Sequence, residues 1–375
     1  MSPLIGSRPF ERQWQEIEAD VLAATAAVGA RGWYIQGDRL RSIEAKLARA
    51  LGRGAGIGCG NGLDALQISL MALGLEPGEL VLTTPMSAFA TTLAILRLGA
   101  RPLFVDVDAS GSLDLALARE CLEKTPGVRF AVPVHLYGHC LDLHALTRLR
   151  DDFGLTVIED GAQALGAGWA ELRVGDVGRT LATSFYPTKN LGALGDGGAL
   201  FTDEPELAEA ARCLRDYGQA GKYVHTRLGL NSRLDELQAA ILESAMMPRW
   251  PAWEERRRQI ASLYLAGLAH PRVAPLPVSP LSRSVWHLFP VLVAGELRQH
   301  LLDHLRGCGV LGLVHYPVAI PDQPVLAENP RLMEIYGDLP RARALAAGEV
   351  SLPITPDLSD QEIHQVIEAV NTWSP

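Results

Sequence analysis

Lysine is nearly missing from this chain: of 34 basic residues only Lys46, Lys124, Lys189 and Lys222 are lysines. Any chemistry that needs a primary amine therefore has four candidates. Cysteine is scarce as well. Cys59, Cys121, Cys140, Cys213 and Cys308 are odd in number, widely spaced and free of any CxxC pair, which excludes a disulfide framework and a structural zinc site. A reducing, cytoplasmic setting is expected. Long hydrophobic runs are absent too. Met1–Phe10 has no apolar stretch of signal-peptide length and Ala88–Leu96 is too short to span a bilayer, so neither export nor membrane insertion is predicted. Positive charge is in deficit, at a net −9, which speaks against nucleic-acid or anionic-membrane binding and leaves only a local pocket for an anion.

What is present describes an ordinary globular protein. With 375 residues, 48% hydrophobic and 21% charged, the chain is long enough for a large domain and a smaller one. Helix-period segments such as Arg39–Leu51 and Asp64–Ala72 alternate with the short apolar runs Leu80–Thr83, Pro102–Val105, Phe130–Val134 and Thr156–Ile158. This rhythm predicts an α/β domain whose ligands sit beyond the carboxyl ends of the strands. Pro248, Trp250, Pro251 and Trp253 interrupt the pattern, placing a boundary between residues 1–248 and 249–375. Beyond it come helix-like Glu254–Leu268, strand-like Val285–Val293, helix-like Leu297–Cys308 and a last helix opened by the capping box Ser359-x-x-Glu362.

Two strand ends carry the chemistry. Thr156–Gln163 reads as a buried strand that delivers Asp160 to the sheet edge, and 29 residues later Lys189 follows the strand-like Thr180–Ala182. A lysine amine for a Schiff base, and a carboxylate that keeps a pyridine nitrogen protonated, are the two groups pyridoxal 5'-phosphate requires. Taken singly, a strand-end Asp also reads as a helix cap and a lone Lys as a surface charge. Gly54–Gly62, running into the helix-like Leu63–Leu73, offers backbone N–H groups and a helix N-terminus to a phosphate, or is simply a flexible turn. It is not a dinucleotide fingerprint, because the third position falls on Cys59, Asn61 or Leu63, and no Walker lysine follows. That argues against a nucleotide-sugar dehydrogenase.

Seven ordered motifs resemble the DegT family of sugar-nucleotide aminotransferases: Gly32-Trp-Tyr-Ile, Asn61-Gly-Leu-Asp-Ala-Leu, Pro133-Val-His-Leu-Tyr-Gly, Glu159-Asp-Gly-Ala-Gln, the Ser184–Gly198 segment around Lys189, Gly229–Ala240 and Val314-His-Tyr-Pro. The likeness implies a fold type I aminotransferase, with a large domain of mixed, mostly parallel sheet between helices and a smaller α+β C-terminal domain. It implies that Lys189 bonds the cofactor and moves the proton, that Asp160 holds the pyridinium, that Gln163 bonds the ring hydroxyl and that Phe89 stacks on the ring. Asn61, Gly62 and Ser184 would cradle the phosphate, with Asn231 reaching in from the other subunit of a homodimer with shared active sites. Two positions depart from many relatives: Leu63 stands where Thr is frequent, and Gly161 where Ala is frequent.

Tyr34, Tyr186, Tyr223, His315 and Tyr316 are the candidate substrate contacts, with Trp33, Arg227 and Arg233 beside them; each also has a plain packing or solvated reading. The motif variants are similar to the subgroup acting on thymidine-diphosphate 3-keto-6-deoxyhexoses. The expected reaction is thus transamination of a nucleotide-linked 3-keto sugar with L-glutamate. A 4-keto sugar or cyclitol aminotransferase, or a non-catalytic regulator of the same fold, are the alternatives. Lys189 argues against a related dehydratase branch, which has His at that position. His135, His139, Cys140 and His144 show metal-like spacing, but Ala131–Leu136 reads as a strand, so no metal is predicted.

Overall fold

The computed structural model describes residues 4–6 and 9–375. The expectation about a leader in the first ten residues falls partly outside them. Among the described residues no helix is long and apolar enough to cross a membrane.

The large part of the chain is built on an eight-stranded sheet. Its spatial order is Ala55–Cys59, Gly198–Thr202, Thr180–Ser184, Thr156–Asp160, Phe130–Val132, Leu80–Thr83, Arg101–Val105 and Glu334–Tyr336. Only Gly198–Thr202 runs against the others, so the sheet is mixed and mostly parallel, as expected. The central strands are apolar and buried because helices cover both faces, which is the reason parallel strands read as continuous hydrophobic runs. Parallel direction also sets function: the carboxyl ends of Ala55–Cys59, Leu80–Thr83, Thr156–Asp160 and Thr180–Ser184 all emerge at one edge.

The C-terminal part packs its own apolar cluster, including Ile260, Tyr264, Phe289, Val291, Leu301, Val350 and Val366. It holds a three-stranded antiparallel sheet of Ala274–Pro275, Phe289–Leu292 and Glu349–Leu352. Helix Trp250–Gly267 begins at the tryptophan, with Pro251 in its first turn where a missing N–H costs nothing. Ser359 and Glu362 close the expected capping box. This part also returns to the large sheet through the edge strand Glu334–Tyr336, and its Ser282–Arg283 pairs with Gly168–Trp169 in a separate small sheet.

Two strand expectations are corrected. Val285–Val293 is a strand only over Phe289–Leu292, because Val285 and Leu288 donate their backbone N–H to Gly138 and Tyr137 instead. Ala131–Leu136 is a continuous strand only to Val132, keeps one further parallel bridge from Val134 to Asp160, and then turns through a short helix at Leu136–Gly138. Gly138 sits at φ +91°, and a Cβ there would lie 2.5 Å from the His287 backbone nitrogen, so only glycine permits this junction between the two parts.

Glu159 locks the strand that carries Asp160. It is fully buried and accepts hydrogen bonds from the backbone of Gly175 (2.9 Å), Val177 (2.9 Å) and Gly178 (2.6 Å) and pairs with His135 Nε2 at 2.8 Å. Burial alone would raise its pKa, yet His135 and the loop amides outweigh that and hold it below the usual range. Glu159→Ala orphans all of these donors and is expected to lower stability by about 3–5 kcal/mol, read as a shifted urea midpoint.

Candidate active site

Asp160 and Lys189 meet because two parallel strands lie side by side in register, with Asp160 opposite Ala182. Past Ser184 the chain folds into a tight loop, in which Lys189 N–H bonds Tyr186 O at 2.8 Å and Ala193 N–H bonds Phe185 O at 2.7 Å. Lys189 lies near enough to Asp160 for the two charges to interact. Asp160 is buried; its Oδ2 accepts from Thr91 Oγ1 at 2.8 Å and its Oδ1 from the Ala162 N–H at 3.1 Å. Burial raises the Asp160 pKa against the opposing pull of the Ala162 amide, the Thr91 hydroxyl and Lys189. Burial likewise pushes the Lys189 amine down to about 8, although Asp160 acts to raise it.

Around this pair the other predicted residues fall into two groups. Gln163 accepts from the Tyr137 N–H at 2.7 Å and donates to the Tyr316 hydroxyl at 3.1 Å, while Tyr137 Oη donates to His315 O at 2.7 Å. Phe89 opens the helix Phe89–Leu96, two residues before Thr91. Gly62 and Ser184 lie against each other: a Cβ on Gly62 would come within 2.8 Å of Ser184 Cβ. Asn61 caps helix Gly62–Ala72, accepting from the Asp64 N–H at 2.8 Å. Lys189 and His315 share the wall of a cavity of about 340 Å³ with His287, Ser351 and Arg257.

The second group lies on an outer face. Asn231 is exposed, and its segment runs into Asp235, which bridges to Ile35 beside Trp33 and Tyr34. Asn231 also bridges to Asp216, at the base of the hairpin Gln219–His225 that carries Tyr223. Tyr223 is 79% exposed, Trp33 63% and Tyr34 51%. Arg233 pairs with Asp216 at 3.0 Å, and Tyr186 is exposed near the lysine loop.

The metal-like histidines take separate partners: His135 turns to Glu159, His139 to Ser284 at 2.9 Å and His144 to Glu171 at 3.2 Å. Among the described residues no cluster fit for a metal exists. Thr91, Ser351 and Glu349 escaped sequence reasoning. Thr91 sits in an apolar stretch that reads as helix interior, and the other two lie in a short strand with no recognisable motif.

The model of the DegT/DnrJ/EryC1/StrS aminotransferase family matches residues 15–371. The chain belongs to this aminotransferase family. It is 40% identical to the dTDP-3-amino-3,4,6-trideoxy-alpha-D-glucose transaminase of Streptomyces venezuelae, across 100% of this chain and 97% of that one. It is 39% identical to a pleiotropic regulatory protein of Geobacillus stearothermophilus, with 96% of each covered. The crystal structure of S. venezuelae DesV, in complex with a ketimine intermediate, superposes with a TM-score of 0.93 over 99% of both chains.

The donor set of this aminotransferase fits pyridoxal 5'-phosphate. Asp160 is a buried carboxylate whose hydrogen-bond donors among the described residues are a hydroxyl and an amide, so a ring N–H⁺ would complete it. The glycine that meets Ser184 stands at a helix N-terminus, where backbone N–H groups suit a phosphate. In the cofactor-free protein Lys189 is expected to titrate near 8, and Asp160→Asn should lower that value further by removing the charge that supports the ammonium. Amine reactivity against pH, followed at Lys189 by mass spectrometry, measures both.

Proposed function

We propose that this aminotransferase converts a thymidine-diphosphate-linked 3-keto-6-deoxyhexose to the 3-amino sugar, with L-glutamate as donor. The observation that carries the reading is the Lys189 amine beside the buried Asp160 at one sheet edge. When bound, pyridoxal 5'-phosphate supplies a carbonyl that exchanges amines and a protonated ring that accepts electrons. Asp160 would hold that ring proton, Gln163 the ring hydroxyl, Phe89 the ring face, and Asn61, Gly62 and Ser184 the phosphate. Lys189, with its pKa pulled toward neutrality, is suited to take a proton from one carbon and return it to another. His315, with the cavity it borders, and the adjoining Tyr316 would receive the sugar; about 340 Å³ suits a hexose, with the nucleotide extending outward past Tyr186.

Asn231, Tyr34 and Tyr223 are all exposed in one chain. That exposure supports a homodimer in which these residues complete the active site of a second copy, as Asn231 reaches the phosphate and the tyrosines the substrate. A cytoplasmic location, and a division into a large part of residues 1–248 and a smaller one of 249–375, belong to the same reading.

Purified enzyme with glutamate and a panel of 3-keto and 4-keto nucleotide sugars and keto cyclitols tests the substrate: the 3-keto sugar should be aminated fastest. Preference for a 4-keto sugar or a cyclitol would overturn the assignment. Lys189→Ala should reduce turnover by about 10²–10⁴-fold or more. Mixing Lys189→Ala with Asn231→Ala protein should recover activity, because one site of each mixed dimer then carries neither change. Lack of recovery from two individually impaired variants would contradict shared sites.

A further inference from the structure

The short strand Glu349–Leu352 places Glu349 and Ser351 on one face, two residues apart, against the segment that carries His315. Backbone bonds between Leu313 and Ser351, at 3.1 and 2.8 Å, hold the two segments together. Glu349 is fully buried, and no basic side chain of the described residues forms a salt bridge with it. Its carboxylate accepts from the His315 N–H at 2.6 Å and from the Ser351 hydroxyl, and Ser351 Oγ in turn lies 3.0 Å from His315 Nδ1. His315 and Ser351 both face the cavity that Lys189 borders.

We propose that Glu349 and Ser351 are positioning residues that set the tautomer of His315, and so decide whether its Nε2 accepts or donates a hydrogen bond beside Lys189. The proposal rests on the aminotransferase reading of that site. Hydrogen-bond inventory dictates the two arrangements. An ionised Glu349 can only accept, so the Ser351 hydrogen points to it. The Ser351 oxygen then accepts from His315 Nδ1–H, and Nε2 is left as a bare acceptor. Uptake of one proton reverses the chain: the proton enters at Nε2, the Nδ1 proton passes to Ser351, and the Ser351 proton passes to Glu349. Each of three bonds to hydrogen is replaced in turn, and His315 ends neutral with Nε2–H as a donor.

The local charges favour storing the proton on the carboxyl. Burial, opposed by Ser351, the His315 amide and the Arg298 charge, pushes Glu349 up to about 7. Burial and the Lys189 ammonium push His315 down to about 4, so a second proton on the ring is disfavoured. Tyr137 and Tyr316 also face the pair and are themselves held above their usual range by burial. His287, a further titratable neighbour, is held well below its usual range by burial and by Lys189. The relay thus changes what His315 offers a substrate near neutral pH without adding a cation next to Lys189.

The test is nitrogen-15 NMR of His315 in the cofactor-loaded enzyme, above and below about pH 7, alongside the pH profile of kcat/KM. In the native protein Nε2 should pass from unprotonated to protonated as pH falls. In Glu349→Gln the amide oxygen accepts from the His315 N–H while its NH₂ donates to Ser351, so Nε2 should stay protonated throughout. The neutral limb of the pH profile should vanish in the same variant. Ser351→Ala should lose the transition, and Ser351→Thr, which keeps the hydroxyl, should retain it. A His315 tautomer that is the same in native protein, Glu349→Gln and Ser351→Ala would overturn the proposal. So would a native ring that gains a second proton in the same range. Because the NMR signal is read without substrate, its failure is distinct from failure to aminate a keto sugar.

Discussion

The burial of Glu159 is the constraint on which the active site depends. A carboxylate with no solvent must be met by donors, and here the Gly175–Gly178 loop and His135 supply them. Those bonds lock the end of the Thr156–Asp160 strand against its neighbours. Asp160, the next residue, therefore leaves the sheet at a determined height. The adjoining strand is in parallel register, so Lys189 arrives at the same edge from a loop that the Phe185 and Tyr186 carbonyls hold tight. A slip of one residue would turn Asp160 inward and Glu159 outward, exchanging a catalytic environment for an orphaned buried charge.

Burial at that edge then tunes the chemistry. The same loss of water that raises Asp160 lowers Lys189, and the two shifts oppose the attraction between the groups. The result is an amine with its pKa drawn to about 8 near a buried carboxylate, which an aromatic N–H⁺ would complete. His315 extends this logic toward the small part of the chain. It is tied to Tyr137 through its carbonyl, to Glu349 through its amide and to Ser351 through its ring, so the site spans the junction that Gly138 makes possible.

Much of this was legible in the residues. The apolar runs located the central strands, since strands buried on both faces carry their signature in composition. Asp160, Gln163, Ser184 and Lys189 stood in contiguous motifs, so their identity and order pointed to a cofactor and to the family that the chain was found to join. Short strands and turns were less legible: the Val285–Val293 run is apolar apart from His287, yet Val285 and Leu288 bond to Gly138 and Tyr137 rather than to a sheet. Thr91, Glu349 and Ser351 carried no local signal, because their partners lie 69, 34 and 36 positions away.

The sequence by itself determined the chemistry available: one motif-borne lysine among four, a strand-end carboxylate, a glycine-rich turn before a helix, and a net charge of −9. Only the tertiary structure decided which groups meet. It brought Thr91 to Asp160 and Ser351 to His315, and it left Asn231, Tyr34 and Tyr223 exposed. The physical reason is that residue type and periodicity are local properties of a chain, whereas a pKa, a tautomer and a shared pocket depend on distances across strands far apart in sequence.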